Sequence, residues 1–286
     1  MNEEYTVIYK SKYYNKKHKN QFLKVLVFDL DETIGDFKDL ELIWNTIQHY
    51  TPNKNSFNLF KDLLDLYPEF LRFGIISILE FLHQKKKEKV CHSIYIYTNN
   101  QAPPQWIAMI VDYLDYKLNL KKNKLFDQII HTFKIKNKLI EVKRTTHKKT
   151  WGDFINCTLL PRSTEICFVD NTNFETMKEE KVYYIQPMSY YHHLSASQIV
   201  NRFLHSKLAK NILKTPADKR SFEKIIFQKK DDNMLTDREN NTLLKTNILV
   251  SQKIMYHIRD FFFYSNKREK TKKNKKLMNR LTRKKL

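Results

Sequence analysis

Two carboxylates two residues apart are the first chemistry this chain offers. Asp29-Leu30-Asp31-Glu32-Thr33 follows directly on the apolar run Leu23-Lys24-Val25-Leu26-Val27-Phe28. A DxD in isolation is common in solvated turns. On a loop leaving a buried strand, both acids can face one phosphate. Phosphoryl transfer needs an in-line nucleophile, neutralisation of charge and a proton donor for the leaving oxygen. Asp29 is of the type to attack and form an aspartyl-phosphate. Asp31 is of the type to protonate the leaving alcohol and then to deprotonate the attacking water.

Three further places suit the same reaction. Thr98 ends a second apolar run, Ile94 to Tyr97, where its hydroxyl and nearby backbone N–H groups suit a phosphate oxygen. Lys149 stands just ahead of Thr150-Trp151-Gly152-Asp153, which has the form of a helix cap, so an ammonium there would lie beside a positive helix end. Lys148 is the alternative at this place. Phe168-Val169-Asp170-Asn171 ends a third apolar run in an acid and an amide, oxygen ligands of the kind a hard, octahedral magnesium ion takes alongside water and phosphate.

These groups need elements to position them. Nearly continuous apolar runs predict strands buried on both faces of a parallel sheet at 23–28, 94–97, 126–133, 165–169 and 182–185. Helical patterns lie between them: 39–71 with a break at Pro52, 74–83, 105–119 opened by Pro103-Pro104, and 150–158. Ser195 with Gln198 starts another, whose apolar face is Ile199, Val200, Phe203, Leu204 and Leu208. Strands alternating with helices predict an α/β, doubly wound sheet, in which ligands bind beyond the carboxyl ends of the strands. Three of those ends carry the polar groups named above.

The order strand–DxDxT, strand–Thr, Lys, strand–acid pair resembles the four-motif series of the haloacid dehalogenase (HAD) superfamily, from about Leu23 to Ile185. The DLDET core and the ending Val169-Asp170-Asn171 resemble the branch that holds the phosphatases of the RNA polymerase II C-terminal domain, the NLI-interacting-factor-like proteins. Arg72-Phe73-Gly74 is similar to the RPG that opens a helix in that branch. The Lys- and Asn-rich composition is also in the style of related proteins of large DNA viruses. The resemblance implies a HAD-type Rossmann-like parallel sheet flanked by helices, and a Mg2+-dependent phosphatase. It implies Asp29 as nucleophile and metal ligand, Asp31 as acid and base with its carbonyl on the metal, Thr33, Thr98, Asn99 and Lys149 on phosphate, and Asp170 with Asn171 at the metal. The chain departs from that branch at Phe73, where Pro is usual, and at Thr172-Asn173, where Ser-Pro is usual.

Composition narrows the partners. Gly35, Gly74 and Gly152 are the three glycines of 286 residues, so neither GxGxxG nor GxxxxGK can be written and the usual nucleotide-binding loops are excluded. A formal charge of +21 favours polyanions. Residues 266–286 hold eight Lys and three Arg against Glu269, a segment expected to be disordered until it binds and suited to nucleic acid. Cys91, Cys157 and Cys167 form no pattern of disulfides or metal ligands. The longest apolar stretch, Phe70 to Leu82, is interrupted by Arg72 and Glu80 and too short to span a bilayer. The expected protein is therefore intracellular, cytoplasmic or nuclear (in a viral factory if viral), with no membrane contact. Its expected domains are an N-terminal extension 1–22, a phosphatase domain 23–210 with a small lid at about 39–71, a helical extension 211–265 packed on that domain, and the basic tail 266–286. With no room for a full cap, the open site suits a phosphoserine or phosphothreonine protein; a nucleic-acid 3′-phosphate, or a silent nucleic-acid-binding module, is the alternative.

Overall fold

Strands that are covered on both faces have no polar side to show, and three such strands form the centre of this protein. The computed structural model describes residues 5–15, 22–51, 57–120, 124–230 and 235–282, with side chains described through 263 except at 15 and 237. Its strands are β1 Thr6–Lys10, β2 Lys24–Phe28, β3 Ser93–Tyr97, β4 Gln128–Ile130, the short hairpin β5 Lys134–Ile135 and β6 Lys138–Leu139, then β7 Glu165–Val169 and β8 Val182–Pro187. Every residue of β2, β3 and β7 is buried. The six-stranded sheet has the order β1-β8-β7-β2-β3-β4. All neighbours in it are parallel except β1, which closes one edge antiparallel to β8 with Thr6 opposite Pro187. The fold is thus α/β, with a mostly parallel, Rossmann-like sheet flanked by helices.

Period-two alternation splits the strands between two cores. Leu26 and Phe28 enter the larger one, and Val25 and Val27 the smaller. The larger core receives the apolar faces of α1 Lys38–Gln48, α2 Phe57–Leu66, α3 Ile75–Lys87, α4 Pro104–Lys117, and, after α5 Trp151–Thr158, those of α6 Ala196–Leu204, α7 Lys207–Ile212, α8 Pro216–Lys229 and α9 Asp237–Thr282. The smaller core is covered by α5, Trp151–Thr158, through Phe154, Ile155 and Cys157. Residues 39–71, expected as a lid, are mainly the helices α1 and α2, whose Leu40, Ile43, Trp44, Phe60, Leu63 and Leu64 are core residues.

The strand expected over 126–133 is shorter, Gln128–Ile130, because the chain turns out of the sheet into the β5–β6 hairpin. That hairpin reverses through Lys136 and Asn137, both at positive φ. The capping box at Ser195 and Gln198 starts α6, and a second at Thr215 and Asp218 starts α8. The helical spacing after 247 belongs to α9, which buries Val250, Ile254, Ile258 and Phe261 against the sheet side of the large core. The helix continues to Thr282; the side chains of the basic segment, and residues 283–286 altogether, lie outside the described residues, and so does the expected disorder of that tail.

Candidate active site

Because β7, β2 and β3 are adjacent and parallel, their carboxyl ends open side by side. The ladders carry on one residue past each strand. The N–H of Asp29 donates to the Val169 carbonyl at 2.9 Å, that of Thr98 to Ile130 at 3.0 Å, and that of Asp170 to Ile185 at 3.1 Å. Asp29, Thr98 and Asp170 are therefore held by hydrogen bonds that continue the sheet ladder.

After Asp29 the chain makes one helical turn, with Ile34 N–H donating to Leu30 O at 2.8 Å. Glu32 sits at φ 57°, a left-handed conformation that costs a non-glycine residue about 1 kcal/mol or more and needs surrounding support. The support comes from Arg72. Its buried guanidinium donates to the carbonyls of Thr33 (2.5 Å), Glu32 (2.5 Å) and Met188 (2.8 Å), and stands 5.3 Å from the Tyr190 ring centre. Gly74, at φ 73°, then opens α3. Gly35 closes the turn where a side chain has no room: a Cβ there would lie 2.6 Å from the Phe37 ring and closer still to the Phe70 carbonyl oxygen.

Lys149 is the centre of the charge arrangement. It is 2% exposed, and its Nζ is hydrogen-bonded to Asp29 Oδ1 and lies 2.6 Å from Asp170 Oδ2. The rings of Phe174, Tyr97 and Phe168 surround it at 5.4, 5.8 and 6.0 Å. Burial opposes the ammonium, but the charges of Asp170 and Asp29 outweigh that and hold Lys149 above the ordinary lysine value. The position is set by Thr150. This N-cap accepts from Asp153 N–H at 3.0 Å, and its own N–H donates to the Tyr97 hydroxyl at 3.2 Å. The Lys148 side chain is exposed, and its carbonyl accepts from Arg144 at 3.3 Å.

The other acids feel the crowding. Burial, with the charge of Asp29 added, raises the Asp31 carboxyl to about 6, although Asn100 donates an N–H to it at 2.8 Å. Asp170 has no exposure, and burial raises it to about 7 even though Lys149 pulls the other way. Its second oxygen accepts from Thr172 N–H at 2.8 Å.

The remaining residues surround these groups. The Thr33 hydroxyl lies 2.9 Å from Asn171 Oδ1 and 3.3 Å from Asp29 Oδ2, and accepts from Asn171 N–H at 3.1 Å. The Asn171 amide donates to Glu32 at 3.1 Å and Ser189 at 2.9 Å, so this side chain ties the β2 and β7 loops together. Thr98 is buried and its hydroxyl accepts from Asn100 N–H at 3.0 Å. Asn99 is turned to Arg144, which donates to its Oδ1 at 2.7 Å. A cleft of about 690 Å3 opens beside Asp31, walled by Asn100, Trp106, Asp39, His192 and Lys230. Asp39 holds that wall together, 2.9 Å from His192 Nε2 and 2.5 Å from Lys230 Nζ, which joins α1 to the end of α8.

Two contributors went unread in the sequence. Arg144 is buried; it donates to the carbonyls of Thr98 (3.0 Å), His131 (2.8 Å) and His147 (3.0 Å), with its plane 4.8 Å from the Tyr97 ring centre. It fixes the Thr98 loop and the approach to Lys149 at once. Its signal was weak: one Arg in a Lys-rich segment, where only a planar fork can serve several carbonyls together. Asn100 was visible as part of a polar strand end, but not as the partner of Asp31.

No protein-family model, curated protein or solved structure matches this chain. Among the described residues no helix is long and apolar enough to cross a membrane.

Proposed function

We propose that this protein is a magnesium-dependent phosphatase of the HAD type, hydrolysing phosphate monoesters on phosphoserine or phosphothreonine protein through an aspartyl-phosphate. The observation that carries this reading is the buried Lys149 ammonium held between Asp29 and Asp170, with Asp31 two residues beyond the first. A carboxylate nucleophile must be aimed and its charge compensated, and an adjacent cation does both.

In this scheme an Asp29 oxygen attacks phosphorus as the bond to the leaving oxygen breaks. Asp31, whose raised carboxyl retains a proton into the weakly acidic range, delivers that proton to the leaving alkoxide. Asp31 then takes a proton from the water that attacks the aspartyl-phosphate, releasing phosphate and restoring Asp29. Lys149 and the Thr98 hydroxyl serve the phosphoryl oxygens.

The donor set suits magnesium. Among the described residues no three His, Cys, Asp or Glu side chains are grouped to hold an ion unaided. Magnesium, however, asks the protein for only a few hard oxygens and takes the rest from water and phosphate. The buried carboxylates of Asp29 and Asp170 exceed the single charge of Lys149; burial first, with the charge of Asp29 added, raises Asp170 against the pull of Lys149. Asp29, the Asp31 carbonyl and Asp170, with Asn171 beside them, would hold the ion, which neutralises phosphate charge when bound.

Protein is favoured over nucleic acid as substrate by the cleft itself. Asp31, Glu32, Asp36, Asp39 and Glu41 line it against Lys38, Lys229 and Lys230, an acidic excess that disfavours a polyanion. The test is Mg2+-dependent hydrolysis of an aryl phosphate by the full chain beside Asp29→Asn, followed by a phosphopeptide and a 3′-phosphorylated oligonucleotide. Activity that needs the metal and is lost in the variant is the expected result. An inactive folded protein, or an equally active variant, would overturn the reading.

A further inference from the structure

The candidate active site has two flanks, on opposite faces of the sheet. The cleft beside Asp31 is walled by α1, by Trp106 of α4 and by the end of α8, all helices of the larger core. The other flank is the segment 131–148. It leaves the carboxyl end of β4 beside Thr98, turns through the β5–β6 hairpin and returns to Lys149 and α5, the helix of the smaller core. Its base is closed at several points. Arg144 donates to the carbonyls of both His131 and His147, and the rings of Phe133 and His147 meet edge to face at 5.5 Å. The Thr145 hydroxyl donates to Asp153 in the first turn of α5 at 2.9 Å. The hairpin is thus anchored beside Lys149, with Asp29 and Asp31 between it and the cleft.

The two flanks differ in sign. Segment 131–148 carries Lys134, Lys136, Lys138, Lys143 and Lys148 against Glu141 alone. Lys134 lies 4.8 Å from the centre of the Phe133 ring, and the other four are exposed. Among the described residues none of the five is ion-paired, whereas Lys85 and Lys86 are paired with Glu88 and Asp127. The cleft holds the acidic excess described above. The basic flank is apolar as well: Leu139 is 45% exposed and Val142 76%.

Resting on the phosphatase reading, we propose that the β5–β6 hairpin and the residues up to Lys148 dock an acidic stretch of the substrate protein, on one side only of the phosphorylated residue. The acidic cleft takes basic side chains on the other side. A chain laid across the site meets cations on one face of the sheet and carboxylates on the other, so charge complementarity selects a substrate whose own charge changes sign at the phosphorylated residue. A polynucleotide is the poorer match. It carries one sign of charge throughout, so phosphates laid on the hairpin would continue into the carboxylates of the cleft. The exposed Leu139 and Val142 also suit a peptide with apolar side chains among its acids.

The test uses the full chain and four labelled phosphoserine peptides: glutamates before and lysines after the phosphoserine, the reverse order, glutamates on both sides, and lysines on both sides. Affinity is read by fluorescence anisotropy in chelator, then kcat and KM with Mg2+. At low salt each exposed ion pair contributes a factor of about two, so the better of the two mixed peptides should bind about tenfold tighter than either uniform one. Combining Lys136→Gln, Lys138→Gln and Lys143→Gln should remove most of that advantage. It should raise KM for the mixed peptide, improve binding of the all-lysine peptide, and leave kcat within about twofold. Lys207→Gln, Lys210→Gln and Lys214→Gln, exposed lysines elsewhere, are the control and should leave the ranking unchanged. A uniform peptide that binds as well as both mixed ones, or equal effects of the two triple variants, would overturn the proposal. So would tighter binding of a 3′-phosphorylated oligonucleotide than of every peptide, lost in the hairpin variant, which would mark a nucleic-acid surface. Turnover of an aryl phosphate needs neither flank and reports on the phosphatase reading separately; the anisotropy ranking decides the docking surface even if that turnover is absent.

Discussion

The Arg72 guanidinium donates to the Thr33 carbonyl at 2.5 Å, so the loop that carries both candidate catalytic acids is braced by a residue 39 positions downstream. The same guanidinium serves Glu32 and Met188. Arg72→Ala would leave three carbonyls unpaired in a buried place and is expected to cost about 3 kcal/mol or more by urea denaturation. Arg72→Lys keeps the charge without the planar fork and should recover less than half of that loss. A cost under ~1 kcal/mol for Arg72→Ala would mean that the loop holds itself.

Lys149 sits between Asp29 and Asp170, and its ammonium is held above the ordinary lysine value, so its stabilising charge persists throughout the physiological range. Lys149→Met leaves two carboxylates facing each other without a cation. The variant should be inactive, and should lose ~3–5 kcal/mol at pH 8. Because burial raises Asp170 to about 7, part of that loss should be regained at pH 5.5, where one proton can replace the missing cation. Thermal unfolding in chelator at the two pH values reads this directly; an equal deficit at both would be the contrary result.

Substitution at Asp31 is expected to stabilise the fold instead. Its folded carboxyl stands at about 6 against an ordinary value of 3.8, so the folded state binds this proton more tightly than the unfolded chain does. The associated stability is full below about pH 4 and is lost as pH rises through about 6. Asp31→Asn removes the titration and can still accept from Asn100. In metal-free buffer the variant should be the more stable protein above pH 6, by up to ~3 kcal/mol, and equal to wild type near pH 4. A destabilised variant at pH 8 would show that the carboxylate is comfortable where it lies.

Magnesium should stabilise the fold by mass action if the acids hold it. At a hundredfold excess over its dissociation constant the gain is about 2.7 kcal/mol, read as an increase in Tm that chelator reverses. Asp170→Asn should abolish the increase, whereas Asp31→Asn, which keeps its backbone carbonyl, should retain most of it. An increase of the same size in Asp29→Asn and Asp170→Asn would place the ion elsewhere.

Much of the sheet was legible residue by residue. Strands β2, β3 and β7 are apolar on both faces because both faces are covered, and that leaves an unbroken run in the sequence. The caps at Thr150 and Ser195 were legible because a hydroxyl bonding an N–H three residues on is a local event. The acids were visible for the same reason, as polar residues where an apolar run stops.

What depends on contacts between distant segments was not legible. Lys148 and Lys149 are neighbours ahead of one helix cap, and no local rule separates them; the packing that buries Lys149 between Asp29 and Asp170 does. Arg144 is one cation in a Lys-rich segment and Arg72 is known from the sequence only as part of Arg72-Phe73-Gly74; both become braces only where folding brings carbonyls from separate loops to one guanidinium. The sequence by itself determined the central strands β2, β3 and β7, the caps and the candidate acids, because each is set by neighbours along the chain. The tertiary structure alone decided the order of the sheet, the choice of lysine and the braces, because each is set by neighbours in space.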